Sequence, residues 1–518
     1  MKKNLLLLAA TAFSFQVFGQ NPGTLDKNFT TTGYSSIDFG GTNERANAMV
    51  IQPDGKAIVV GENVVPTNSA LDQCYVARFD SKGVKDASFG TAGIAKFDFG
   101  TSKDYGRDVA LLSDGKILVL SSVTNTTGDI VVAKLTSTGQ LDATFGTGGK
   151  TTIDNKSKVD IARSMAVQPD GKIIVGGESG NIFMVCRLTA AGALDNTFGT
   201  NGIVTAQPIN SNTTTTCKVL LQKDGKIVLV GYGSDANNNS SMSIARFDSK
   251  GVLDATYGTN GIAEHDLGGN EFYFTAKIQW DDKLIIAGKI APTSAVKYET
   301  FAARLTTAGQ IDKTFGTNGY YRQDLSTFQE EMRGMDIQVD GKIVMAGYIG
   351  DDIGIVRLNA NGVLEKTFNN GKGFLIVDVP GTLKDQINAV SIDKSNKIWL
   401  AGVIGYQTTN ENFGLARLNN SAVSNALEVD NNNTAMNVYP NPVNSSLSIE
   451  YNIETESGIL IELYDITGRK IAQLANGQRN AGKQTEQLEI PNSLNNGIYI
   501  CRLQSNQGAS NTRIIINK

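Results

Sequence analysis

Two apolar runs joined by a polar tight turn recur along most of the chain. In Met165-Ala166-Val167-Gln168-Pro169-Asp170-Gly171-Lys172-Ile173-Ile174-Val175 the break is an Asp-Gly pair, which favours the positive-φ turn of a β-hairpin. Asp-Gly-Lys returns with Lys56, Lys116, Lys172, Lys226 and Lys342, and degenerate copies end at Lys283 and Lys397. Spacings of 54 to 60 residues describe one supersecondary unit present seven times. The run after the turn is apolar at successive positions, as in Ile227-Val228-Leu229-Val230, so each sheet is covered on both faces. Glycine then follows at Gly61, Gly177, Gly231, Gly288, Gly347 and Gly402, with Ser121 the exception, marking a close backbone approach. A third strand ends in Ala-Arg-Leu or a variant. A fourth starts after a glycine and reaches an acid at Asp38, Asp98, Asp154, Asp266, Asp324 and Asp378, with Gln207 at that place in one unit. Seven four-stranded units predict an all-β fold, a seven-bladed β-propeller of about 57-residue repeats over residues 20–420.

A constant offset of eight residues links the basic end of the third strand to an acid in the following turn. It joins Arg78 to Asp86, Lys134 to Asp142, Arg187 to Asp195, Arg246 to Asp254, Arg304 to Asp312 and Arg357 to Glu365. These are expected ion pairs of the scaffold. Arg417 has Asn425 at that offset, while Asp26 has no upstream base in the mature chain. Pairing Arg417 with Asp26 would let the strand from Tyr34 to Phe39 complete the last blade and close the ring.

Composition adds limits. A formal net charge of −4 with 19% charged residues gives no broad basic surface for nucleic acid. The uniform turns share one face of a propeller, so binding is expected on the opposite, irregular face. There the loops around Phe272, Tyr273, Glu330, Glu331, Asp351 and Asp352 are the candidate contacts for an extracellular glycan or protein. His265, the single histidine, stands at a strand position and is read as a packing residue, so no catalytic residue is assigned. Asp351 and Asp352 offer at most a weak calcium site without the twelve-residue loop pattern, and no cofactor is expected. Cys74, Cys186, Cys217 and Cys501 read as small core residues, with a Cys186 to Cys217 bridge as the alternative.

Lys2-Lys3 before the apolar run from Leu5 to Phe13 is a secretory signal, cleaved near Gly19, and is shorter than the ~20 residues of a membrane span. After Leu418 the repeat stops; residues 421–436 form a polar linker, and short alternating strands follow over 437–518 as a small C-terminal β-sandwich. In this region stand Tyr439-Pro440-Asn441-Pro442, then Tyr464-Asp465 with Gly468-Arg469, then Gly497 and Tyr499. With these motifs it resembles the type A sorting domain of the type IX secretion system of Bacteroidetes. The resemblance implies recognition by the outer-membrane translocon, then release or surface attachment. The repeats resemble the delta-60 family through Leu-Asp-x-x-Phe-Gly-x-x-Gly, Gln-Pro-Asp-Gly-Lys and Ala-Arg-Leu, a family that supplies no catalytic residues. Together these features predict a secreted or cell-surface binding or scaffold module, monomeric. The alternative is a carboxylate-dependent hydrolase or lyase acting on extracellular polysaccharide.

Overall fold

The computed structural model describes residues 22–420 and 436–518, apart from 40–42, 65–72, 100–102, 125–127, 156–157, 209–210, 212, 238, 293–296, 381, 383, 407–410, 454, 466–469 and 506–507. The signal segment 1–19, residues 421–435 of the linker, and Gly468 and Arg469 lie outside the described residues.

Among the described residues, seven antiparallel sheets run from Thr24 to Asn419. Six contain four strands in chain order; the first runs Asn43–Ile51, Ala57–Val64, Gln73–Phe79 and Ile94–Phe97. The first strands of the seven sheets, Asn43–Ile51, Lys103–Leu111, Asp160–Val167, Thr213–Leu221, Gly269–Ile278, Glu330–Ile337 and Asp385–Ile392, each touch the next, and the last touches the first. They therefore surround a common axis, and the all-β propeller closes on itself. Second strands such as Ile173–Ser179 are buried throughout, because a neighbouring sheet covers either face.

The seventh sheet takes its outer strands from the other end of the chain. Tyr34–Ile37 and Thr24–Leu25 both pair with Asn412–Asn419. Arg417 Nε donates to Asp26 Oδ2 at 2.9 Å, and the Asp26 N–H donates to the Arg417 carbonyl at 2.8 Å.

The other third-strand bases are built alike. Nε donates to the acid at 2.8 Å from Arg78, Arg187 and Arg304, and at 2.9 Å from Arg246. Each guanidinium lies over the aromatic ring of its own turn, as Arg246 over Tyr257 at 4.4 Å, and donates through Nη1 to a carbonyl of the next sheet, as Arg187 to Ser249 at 2.6 Å. Two pairs differ from expectation. Lys134 stays 4.0 Å from Asp142, whose main partner is Lys116 at 2.8 Å, since the shorter base lacks a planar fork. Arg357 does not pair with Glu365: its Nε is buried without a partner and it donates instead to Asn420 and Thr367, while the longer Glu365 folds back to accept from Thr367.

The turn lysines are an unpredicted third member. Lys56, Lys172, Lys226 and Lys283 reach Asp86, Asp195, Asp254 and Asp312 at 2.9 to 3.3 Å, and Lys397 lies 3.5 Å from Asp26. Where glycine is missing from the turns, Thr30, Asp282, Asn369, Asn370 and Asn396 take positive φ and keep the bend. All four cysteines are free and buried, so the Cys186 to Cys217 bridge is not formed.

In the C-terminal region, a three-stranded and a four-stranded sheet share one buried apolar cluster, including Leu447, Ile461, Leu463 and Ile514. Tyr439 lies in an edge strand of this unit, whereas Tyr464, Asp465, Gly497 and Tyr499 lie in the two central strands of the four-stranded sheet. Asn441 Nδ2 donates to the Arg513 carbonyl and its Oδ1 accepts from the Ile515 N–H, both at 2.8 Å. Tyr439 donates to Glu450 at 2.8 Å, Tyr464 to Glu462 at 2.6 Å and Tyr499 to the Asn495 carbonyl at 3.1 Å. Pro440 and Pro442 follow cis peptide bonds, Gly497 opens a strand, and Asp465 is in register with Tyr499.

Candidate functional site

Every first strand carries one bulge, and it fixes what faces the axis. Register shifts fall at Asn47, Arg107, Arg163, Cys217, Phe274, Arg333 and Asn388, each nine residues before its turn lysine. At the bulge a first-strand carbonyl turns toward the second strand. A Cβ on Gly61 or Gly347 would lie 1.8 Å from the carbonyl oxygen of Arg45 or Glu331, which is why glycine stands there. Ser121 is accommodated differently, its hydroxyl donating to the Tyr105 carbonyl at 3.1 Å.

The scaffold is repeated, whereas the side chains it presents are mixed: Arg stands at the bulge in three sheets, and Asn, Cys or Phe in the others. Around the axis, near the ends that carry the irregular loops, part-exposed Arg45, Tyr105, Arg107, Arg163, Tyr232, Phe272, Phe274, Lys289, Arg333 and Tyr348 come from six sheets, and part-exposed Tyr406 and buried Glu411 from the seventh. They link sheet to sheet. Arg45 forms a two-pronged pair with Glu411 and lies over Tyr406 at 5.5 Å. Asn47 donates to Glu62 at 3.2 Å and to the Gly106 carbonyl at 2.9 Å. Arg163 pairs with Glu178 at 3.1 Å, and Glu178 accepts from the Thr216 N–H of the next sheet. Tyr232, Phe272 and Tyr298 meet edge to face at 5.2 and 5.6 Å. Lys289 sits over Tyr298 at 4.5 Å and pairs with Glu331 at 2.6 Å, and Arg333 pairs with Glu331 and lies over Phe274 at 4.9 Å. Tyr348 donates to Glu331 at 3.1 Å.

Burial shapes the electrostatics. It pushes the Glu178 carboxyl and the Tyr232 and Tyr348 hydroxyls up, and it lowers Arg107. The desolvation of Arg45 is outweighed by Glu411, so its pKa is raised.

Several predicted loop residues are elsewhere. Phe272 and Tyr273 lie in the strand Gly269–Ile278, and Glu330 and Glu331 in the strand Glu330–Ile337; Tyr273, Glu330 and Glu331 are buried. Aromatic and charged residues at the head of an axial strand resemble a loop in one-dimensional patterning. Phe272 and Glu331 nonetheless belong to the axial ring. Tyr273 packs into the core against Phe301, and Glu330 holds the chain entering its strand, accepting from Leu325 and Ser326 N–H at 2.6 and 2.7 Å. Asp352 begins a strand and only Asp351 is an exposed turn residue, 3.8 Å from Lys384. Among the described residues no cluster of metal-ligating side chains occurs. His265 Nε2 donates to the Gly309 carbonyl of the next sheet at 2.7 Å.

Glu330 has counterparts that the sequence reading passed over. Glu44, Asp104, Asp160, Glu271 and Asp385 stand at the same place, twelve residues before their turn lysines, all buried, with Thr214 there before Lys226. Glu44, Asp104, Asp160 and Glu271 accept from the N–H groups of Phe39, Phe99, Asn155 and Leu267, and Asp385 from that of Gly405. The constant twelve-residue offset was the available signal.

Comparison with known proteins gives two family matches. Residues 437–517 match the secretion system C-terminal sorting domain. Residues 112–145, 168–198, 222–257 and 338–368 match a β-propeller domain of unknown function, DUF5122. No curated protein matches significantly. Similar solved structures include virginiamycin B lyase from Staphylococcus aureus, 13% identical with a TM-score of 0.43, covering 74% of this chain and 98% of that one. A protein of unknown function from Dyadobacter fermentans is 13% identical with a TM-score of 0.42, covering 75% and 100%. PorZ, a surface component of the type IX secretion system of Porphyromonas gingivalis, is 11% identical with a TM-score of 0.30, covering 92% and 68%.

Proposed function

Since the chain carries DUF5122 β-propeller repeats and the sorting domain that directs export through the type IX system to the cell surface or medium, we propose that it is an extracellular binding module whose ligand meets the axial ring. In this reading a signal peptide opens export, delta-60-type repeats form the propeller, and the tail, a small β-sandwich, is read by the translocon. One observation carries it: positions that share one backbone scaffold carry a mixed set of side chains, and their aromatic and charged groups converge around the axis. Flat apolar ring faces beside fixed charges are the components of a sugar or peptide site. The alternative, carboxylate-dependent cleavage of polysaccharide, relies on Glu330 or Glu331. The first holds backbone N–H groups and the second is engaged by Lys289, Arg333 and Tyr348, which favours binding over turnover. A glycan array probed with the full chain tests the reading. Binding is expected to fall roughly tenfold on Phe272→Ala, the loss of one stacking face at ~1 kcal/mol or more, and to survive Val252→Ala on the uniform face. Binding indifferent to Phe272→Ala would overturn it.

A further inference from the structure

The cations of the axial ring are almost all matched. Arg45 is held by Glu411, Arg163 by Glu178, and Lys289 and Arg333 by Glu331. Arg107 is not. Its Nε is buried without a hydrogen-bond partner, and among the described residues its one close contact is the Tyr105 ring, 4.7 Å from the guanidinium carbon. The nearby carboxylates are occupied: Glu62 accepts from Asn47, and Glu178 from Arg163 and Thr216. Burial disfavours the charged form of Arg107 most, Glu62 and Glu178 offset this only in part from beyond hydrogen-bonding contact, and Arg163 adds a like charge. A guanidinium enclosed by protein, still part-exposed and beside a second cation, has no anion in hydrogen-bonding contact.

Resting on the axial reading above, we propose that Arg107 is the oxyanion subsite of that site, binding the carboxylate or sulfate of an acidic glycan. A planar fork of donors matches either group in a two-pronged contact. Tyr105 beside it, with Tyr232 and Phe272 further round the ring, offers flat faces suited to sugar rings rather than to an extended acidic peptide.

The test is affinity electrophoresis of the full chain through polygalacturonate, dextran sulfate, neutral dextran and poly-glutamate. Retention by polygalacturonate or dextran sulfate over dextran is expected, the preferred polymer showing whether the natural anion is a carboxylate or a sulfate. Arg107→Met is expected to weaken it roughly tenfold, the loss of a charge-assisted contact, and Arg107→Lys to restore part of it. If Arg107→Met does not fold, the wild-type melting temperature decides: it should rise in sodium galacturonate relative to galactose at equal ionic strength. No retention by either acidic glycan overturns the subsite, as does retention unchanged by Arg107→Met, or poly-glutamate binding as tight as that of the glycans. Array binding lost on Phe272→Ala but unaffected by Arg107→Met would remove the subsite and leave the axial reading standing.

Discussion

At the scale of single residues, one carboxylate per blade has several partners at once. Asp254 Oδ2 accepts from Arg246 at 2.9 Å and lies 3.3 Å from Lys226, while Oδ1 accepts from the Thr256 hydroxyl at 2.7 Å. Asp254→Ala would strand a buried guanidinium, at a cost of roughly 3 kcal/mol, the low end for a broken buried pair because one side meets solvent. Glu365→Ala should cost less than Asp254→Ala, roughly 1 kcal/mol, as Arg357 feels its charge but makes no hydrogen bond to it. Urea unfolding of the two variants would check this ordering. The acids divide into two classes with opposite pH behaviour. Hydrogen bonds and cations hold Asp86, Asp142, Asp195 and Asp312 well below the usual carboxylate range and Asp254 at about 2. Their stabilisation is complete above pH ~4 and is lost as pH falls through the folded values. Burial instead pushes Asp104 up to about 6 and Glu271 to about 8. The folded protein therefore takes up protons before the unfolded chain does, and these groups make it more stable as pH falls from 8 to 5. Glu271→Gln should flatten the upper part of that rise in a series of melting temperatures; an unchanged profile would exclude Glu271 as its source.

Among strands and turns, what was legible depended on whether partners are close in sequence. Arg246 and Asp254 share one connection, so a constant eight-residue offset disclosed them. Lys226 reaches the same carboxylate from a different hairpin, and in the sequence it reads only as an exposed turn residue. Hairpin turns and the apolar second strands were equally plain, because local propensity and burial agree there. The axial ring was hidden for a geometric reason. A bulge shifts the two-residue periodicity by one, so Phe274 and Arg333 share an orientation that no alternating pattern displays. The second-strand glycine is the trace of that bulge. Gly347→Ala places a Cβ 1.8 Å from the Glu331 carbonyl oxygen and must displace the bulge, so a loss of ~1 to 3 kcal/mol is expected. Ser121→Gly, where a side chain is already housed, should cost less than ~1.5 kcal/mol. Equal losses by thermal unfolding would mean that the carbonyl contact does not select glycine.

For the molecule as a whole, stability rests on a ring without an end. Arg187, Arg246 and Arg304 each fasten one sheet to the next through a backbone carbonyl, and Arg417 does the same to Ser81 across the junction of the two chain ends. A closed ring cannot lose one interface cheaply, because the sheets on either side lose a covering face together. Deleting residues 22–39 removes both N-terminal strands of the seventh sheet, the Asp26 carboxylate and Phe29, which packs edge to face on Trp399 at 5.0 Å. Arg417 would remain without its acid while Trp399, fully buried in the intact ring, would lose a wall. The deletion should therefore lower the melting temperature of the entire propeller in one transition. Asp26→Asn, removing only the charge of the latch, should give a smaller shift of the same sign. A truncated chain that melts with the full one, or that loses its seventh sheet in a separate early step while the rest melts unchanged, would show that the blades stand independently and that closure contributes little.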